Sequence, residues 1–92
     1  MNIKKMFRNK FTNYILSILY DIYINIKISD AHKVLCIYRE LNKNLKEHFC
    51  GIFVPRLFEN KLRIVYVSDE TQQNMDLCMI TFDPKNISVL YY

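Results

Sequence analysis

Glycine is almost absent from this chain of 92 residues: Gly51 is the only one, as Ala31 is the only alanine. The dinucleotide fingerprint and the P-loop each need at least two glycines, so nucleotide binding through either motif is excluded. Cysteine is sparse too. Cys36, Cys50 and Cys78 are an odd number, too few for the disulfide framework of a small secreted domain. They read as reduced thiols in a cytoplasmic, intracellular protein. Long apolar runs are also lacking. The stretch from Tyr14 to Tyr20, behind Lys4, Lys5, Arg8 and Lys10, looks superficially like a signal peptide. However, Asp21 interrupts it, no small-x-small cleavage site follows, and it falls far short of the roughly 20 residues that span a bilayer. No transmembrane span is expected.

What is present suits one folded unit. Hydrophobic residues make up 51% and charged residues 24%, with a net charge of +4, which lies outside the disordered class. A chain this short builds a single core, without room for separate cofactor and substrate domains. Isoleucine, asparagine, lysine and tyrosine are abundant, a bias of AT-rich codons that suits a virus, a mobile element or an AT-rich bacterium.

Phe7, Phe11, Tyr14, Ile15, Ile18 and Leu19 trace one helical face. Thr12 could cap a shorter helix, leaving residues 1–10 as a frayed basic arm. Beyond Asp21, Ile22, Ile24, Ile26 and Ile28 alternate with other residues and predict a first strand. Ser29 or Asp30 then caps a second helix carrying Val34, Leu35, Tyr38, Leu41, Leu45 and Phe49, which is expected to end at Gly51 in a left-handed conformation. Strands follow at 52–57, 62–68, 75–83 and 87–92, with a type I turn at Asp83-Pro84-Lys85-Asn86. Pro55 predicts an edge or a bulge in its strand. The expected fold is α+β, in the order α-β-α-β-β-β-β. Two helices would pack on one face of a mainly antiparallel sheet of about five strands, forming a single domain over residues 1–92.

Charge is uneven. Residues 1–46 hold nine Lys and Arg against three acids, a net +6, and residues 47–92 hold four against six, a net −2. Lys33 to Glu47 reads as a solvated helix surface. Lys4, Lys5, Arg8 and Lys10 have no acid within the first twenty positions to neutralise them, and mark a candidate surface for an anionic partner. Tyr23, Tyr91 and Tyr92 are further candidate contacts, because tyrosine is enriched at interface hot spots. The terminal strand has no charge after Lys85, which suits burial in the sheet or strand addition by a homodimer or partner.

Chemical constellations are thin. His32 and Cys36 sit at one end of the second helix and His48 and Cys50 at the other. Sixteen positions put the histidines roughly 24 Å apart, too far for one metal ion or one acid–base pair, so neither metal nor cofactor is expected. Asp69 and Glu70 read as a solvated loop. Arg56, Lys61, Arg63 and Tyr66 lie on two strands joined by a short turn, with Arg63 directed to the face opposite Tyr66. In element order residues 22–83 resemble the small RelE/ParE-type toxins, with Arg63-Ile64-Val65-Tyr66 as the local echo. The resemblance implies a basic sheet face that contacts RNA or DNA gyrase, and a metal-independent ribonuclease or translation inhibitor using Arg56, Lys61, Arg63 and Tyr66. The chain departs from that pattern in its extra N-terminal helix and in lacking a basic C-terminal tail. The leading expectation is instead a small non-enzymatic binding protein, an accessory or inhibitory protein of viral or mobile-element type. It would dock a macromolecule, most readily a protein, with nucleic acid as the alternative.

Overall fold

Phe7, Phe11, Ile15, Leu19 and Ile22 recur at the spacing of a helical stripe, and the chain follows them as one helical run. The computed structural model describes residues 3–25, 27–83 and 86–92, the side chains of 23–25 excepted. The run is α-helical at Ile3–Met6 and Thr12–Leu19 and π-helical at Phe7–Phe11 and Tyr20–Asn25. A four-residue spacing overruns the 3.6-residue α-turn. The wider i→i+5 turns absorb that excess, and Phe7, Ile15, Leu19 and Ile22 are all buried. Thr12 is interior to the run, its hydroxyl donating to the Arg8 carbonyl.

The expected strand at 22–28 is therefore corrected, and with it the five-stranded α-β-α-β-β-β-β order. Two N-terminal helices precede a four-stranded antiparallel sheet. Ile22 belongs to two patterns: it alternates with Ile24, yet it also continues the stripe of Ile15 and Leu19. Helical packing buries it without a partner strand, and tertiary context outweighs β-branched preference. Part of the expected strand, Ile26, lies outside the described residues, as does the centre of the expected turn at 84 and 85.

The second helix, Asp30–Leu45, starts where Ser29 caps it, the Ser29 hydroxyl accepting from the His32 N–H. It buries Ile37, Leu41 and Leu45 and stops there, short of the expected end at Gly51. Gly51 instead opens the first strand, and its φ is not positive. The need for glycine is steric: a Cβ there would lie 2.5 Å from the Tyr66 hydroxyl oxygen and closer still to the Val67 carbonyl.

The sheet is a meander in which β1 (Gly51–Phe58), β2 (Lys61–Ser68), β3 (Asn74–Asp83) and β4 (Asn86–Tyr91) lie side by side in chain order. Glu59 and Asn60 close the first hairpin, Glu59 at φ 55°, so Phe58 faces Lys61 and Arg56 faces Arg63. Counting from this turn, Phe53, Pro55 and Leu57 direct their backbone groups away from β2. Pro55 consequently costs the ladder no hydrogen bond, as an edge position requires. A bulge in β3 opposite Ile64 and Val65 brings both Leu77 and Cys78 into the core.

Both helices pack on one face of this α+β domain. Phe7, Thr12, Ile15 and Leu16 meet Cys78, Ile80, Val89 and Tyr91 across a narrow crevice, so the first helix lies over β3 and β4. The second lies at β1, where Asn42 brackets Phe53: the Phe53 N–H donates to Oδ1 and Nδ2 donates to the Phe53 carbonyl, each at 2.9 Å. An aromatic cluster joins the parts. Phe53 stacks on Phe7 at 5.9 Å between ring centres and meets Phe49 and Tyr66 at 5.2 Å each. No helix of the described residues is long and apolar enough to cross a membrane.

Candidate docking surfaces

Strand alternation sends Phe53, Leu62, Ile64, Cys78 and Ile80 to the helices, so their neighbours line the opposite face, which no helix of the described residues covers. That open face mixes exposed apolar side chains with charged and polar ones. Phe58 is 74% exposed, Leu90 59% and Ile52 41%, with Val54, Val67 and Met79 half-buried among them. At the end near the first hairpin, Arg56, Phe58, Lys61, Arg63 and Met79 surround a shallow hollow of about 280 Å³.

The cations in this hollow are poorly placed for the isolated chain. Arg56 and Arg63 are directly opposed across β1 and β2, an arrangement that destabilises a sheet, and Lys61 adds a third positive charge. Asp76 relieves Arg63 only in part: its Oδ1 lies 3.9 Å from Nε, and both side chains are about half exposed (49% and 50%), a setting in which ion pairs contribute little. Chemically the hollow offers a planar guanidinium pair for a carboxylate or phosphate, rimmed by apolar surface.

Tyr66 does not join them. It is buried on the helix-covered face among Phe49 and Phe53. Burial pushes its phenol above the ordinary range, with Cys50, Asp69 and Glu70 adding to the effect. Of the four residues considered for nucleolytic chemistry, the structure assembles Arg56, Lys61 and Arg63 and places Tyr66 on the opposite side of the sheet.

The basic N-terminal residues and the tyrosine-bearing end of the sheet do meet. Lys4, Lys5 and Arg8, with Asn9, Leu77, Tyr91 and Tyr92, line a second hollow of about 490 Å³. The Arg8 guanidinium lies 5.0 Å from the centre of the Tyr91 ring, a cation–π distance. The Tyr91 hydroxyl donates to Thr12 Oγ1 at 2.7 Å. Lys10 is exposed and stands outside this hollow. Tyr23 lies in the Tyr20–Asn25 segment, but its side chain is outside the described residues.

Other titratable groups are dispersed. His32 is hydrogen-bonded to Ser29 at the helix start, while His48 lies 5.2 Å from Phe11, between ring centres, near the other end. Cys36, Cys50 and Cys78 are free thiols, and burial pushes Cys78 up to about 12. Asp69 and Glu70 sit in an exposed loop, where Ser68 Oγ accepts the Glu70 N–H. Among the described residues no three His, Cys, Asp or Glu side chains come together to hold a metal.

Ile52, Phe58, Met79 and Leu90 are among the members of the open face that sequence reasoning missed. One signal pointed toward them: a two-residue loop at Glu59 and Asn60 fixes the register, and counting back from it sets Arg56 against Arg63 with Phe58 beside Lys61. In comparison with known proteins, no protein-family model, no curated protein and no solved structure matches the chain.

Proposed function

We propose that this chain is a non-enzymatic docking protein, working inside the cell, that holds an acidic protein partner against its open sheet face. The observation that carries the reading is the Arg56–Arg63 pair, opposed across two strands on a face that also exposes Ile52, Phe58 and Leu90. Such a pair costs stability in the free chain, and an anionic partner removes that cost while the surrounding Ile52, Phe58 and Leu90 lose exposed area. Aliphatic side chains outnumber aromatic ones there, which favours a protein over stacked bases. Three free thiols support a reducing compartment. An accessory or inhibitory role of viral or mobile-element type rests on size and codon bias alone.

The test is affinity capture from native cell extract at low and high salt, with the wild type beside Arg56→Glu/Arg63→Glu and Lys4→Glu/Lys5→Glu/Arg8→Glu. The expected result is a protein retained by the wild type and the second variant and lost from the first. Identical retention on all three would sink the open face as the docking surface. A nucleic acid lost only from the second variant would move the function to the Lys4, Lys5, Arg8 and Tyr91 hollow. Growth arrest on induced expression, relieved by Arg63→Ala, would favour the toxin-like alternative, for which the grouping of Arg56, Lys61 and Arg63 speaks.

A further inference from the structure

The two edges of the sheet are built differently. On β1, the Asn42 amide occupies both outward groups of Phe53, Pro55 removes the next outward donor, and Arg56 adds charge. These are devices that keep an edge from pairing. On β4, the Tyr92 N–H donates to the Leu77 carbonyl at 3.1 Å, which sets the phase of the ladder. Asn86, Ser88 and Leu90 therefore bond to β3, while Ile87, Val89 and Tyr91 direct their N–H and C=O groups outward. Among the described residues no strand lies beyond β4. Residues 86–92 contain neither charge nor proline, and the β3–β4 register runs without a bulge.

We propose that β4 is a dimerisation edge, to which β4 of a second copy adds in antiparallel fashion about a two-fold axis at Val89. This phase aligns outward groups with outward groups. Ile87 faces the partner's Tyr91, Val89 faces the partner's Val89, and Tyr91 faces the partner's Ile87, giving roughly six backbone hydrogen bonds. Side chains agree: Ile87 against Tyr91 is a favourable β-branched–aromatic pair, and on the open face Ser88 meets Leu90.

A second copy is the occupant because β4 alone tolerates self-pairing. β2 and β3 are interior to the sheet, and β1 is blocked by Asn42 and Pro55 and carries Arg56, whereas β4 is an edge with no charged side chain of its own to set against a second copy. The cations near the seam, Lys4, Lys5 and Arg8, gather at the Tyr91 end and are held away from their counterparts, since the two Tyr91 positions are offset by about 13 Å along the strands. That exceeds the Debye length of about 8 Å at physiological salt. Because the β1 edge is blocked, pairing closes at two copies instead of propagating. The open faces then join into one surface bearing two Arg56–Arg63 pairs.

Sedimentation equilibrium of the full chain tests this directly, with Val89→Pro and Ser88→Lys/Leu90→Lys as variants. Val89 directs its N–H outward, so proline there copies the Pro55 device and leaves the β3–β4 ladder intact. The double variant changes only exposed side chains and sets the introduced lysines of one copy against those of the other across the seam. The wild type should sediment at twice its 11.2 kDa mass, and at least one variant should sediment as a monomer with an unchanged circular dichroism spectrum. A monomeric wild type at the highest soluble concentration overturns the proposal. So does a dimer that the folded variants retain, or a wild type that grows into open-ended assemblies.

Discussion

The same four strands present two faces that have been shaped by different requirements. On the covered face, Phe53, Leu62, Ile64, Cys78 and Ile80 are almost wholly buried, no charged side chain is buried among the described residues, and aromatic rings tie both helix regions to β1 and β2. On the open face, one residue along each strand, Ile52, Phe58 and Leu90 are exposed and two arginines oppose each other. Burial explains the first face completely. For the second, neither exposed apolar area nor opposed like charge helps the isolated chain, and the proposed docking rests on these two features.

The sharpest way to break this comparison is to truncate one phenylalanine on each face. Phe53→Ala should cost about 3–5 kcal/mol, because the vacated space is enclosed by Phe7, Phe49 and Tyr66. Phe58→Ala should stay within about 0.5 kcal/mol. Equal losses in urea denaturation would mean that the open face is part of the core.

Cys78 provides a pH-dependent probe of the covered face. Burial raises its thiol from 9.0 to about 12, and Tyr14 and Tyr66 are raised too, in each case first by burial. The folded state therefore holds these protons more tightly than the unfolded state. Their contribution is fully present below pH 9 and is lost as pH rises toward 12, by a few kcal/mol for Cys78. The denaturation midpoint should fall across that window, and Cys78→Val should flatten the fall. Exposed Cys50 should react with a thiol reagent in the native protein while Cys78 reacts only on unfolding.

Gly51 marks where the covered face leaves no space. A Cβ meets the Tyr66 ring and the Val67 carbonyl, so Gly51→Ala should destabilise by about 1–3 kcal/mol. Gly51→Ala in a Tyr66→Leu background should lose less, because the nearer side-chain atoms are gone. A mild effect in both would show that the β1 start shifts freely.

Much of this architecture is legible in the residues, and the exceptions have physical causes. Ser29 announces the second helix, alternation and polar turns announce the four strands, and Pro55 announces an edge. Ile22 misleads because it satisfies a period of two and a helical stripe at once, and only packing chooses between them. Gly51 misleads because a glycine after a helix satisfies the C-terminal rule, whereas its actual constraint comes from the Val67 carbonyl and the Tyr66 ring on the neighbouring strand. The open face is harder still. Ile52 and Val54 are as apolar as Phe53 and Pro55, so local pattern cannot tell which side of β1 the helices cover. Arg56 and Arg63 become a meaningful pair only once the turn at Glu59 and Asn60 has set the register.

That pair yields the smallest effect and the most informative. Removing one guanidinium with Arg56→Ala relieves the opposition to Arg63 without touching the Arg63–Asp76 contact. The free chain should become slightly more stable, by about 0.2–1 kcal/mol, and the gain should shrink as salt screens the charges. The same variant should weaken any acidic partner and flatten the salt dependence of its binding. Thermal melts at low and high ionic strength measure the first effect, and titration with the captured partner measures the second. A gain in stability joined to a loss of binding is what a surface kept for docking requires. If Arg56→Ala instead destabilised the chain at low salt, the arginines would be part of what holds the hairpin together, and the open face would have lost its claim to a different purpose.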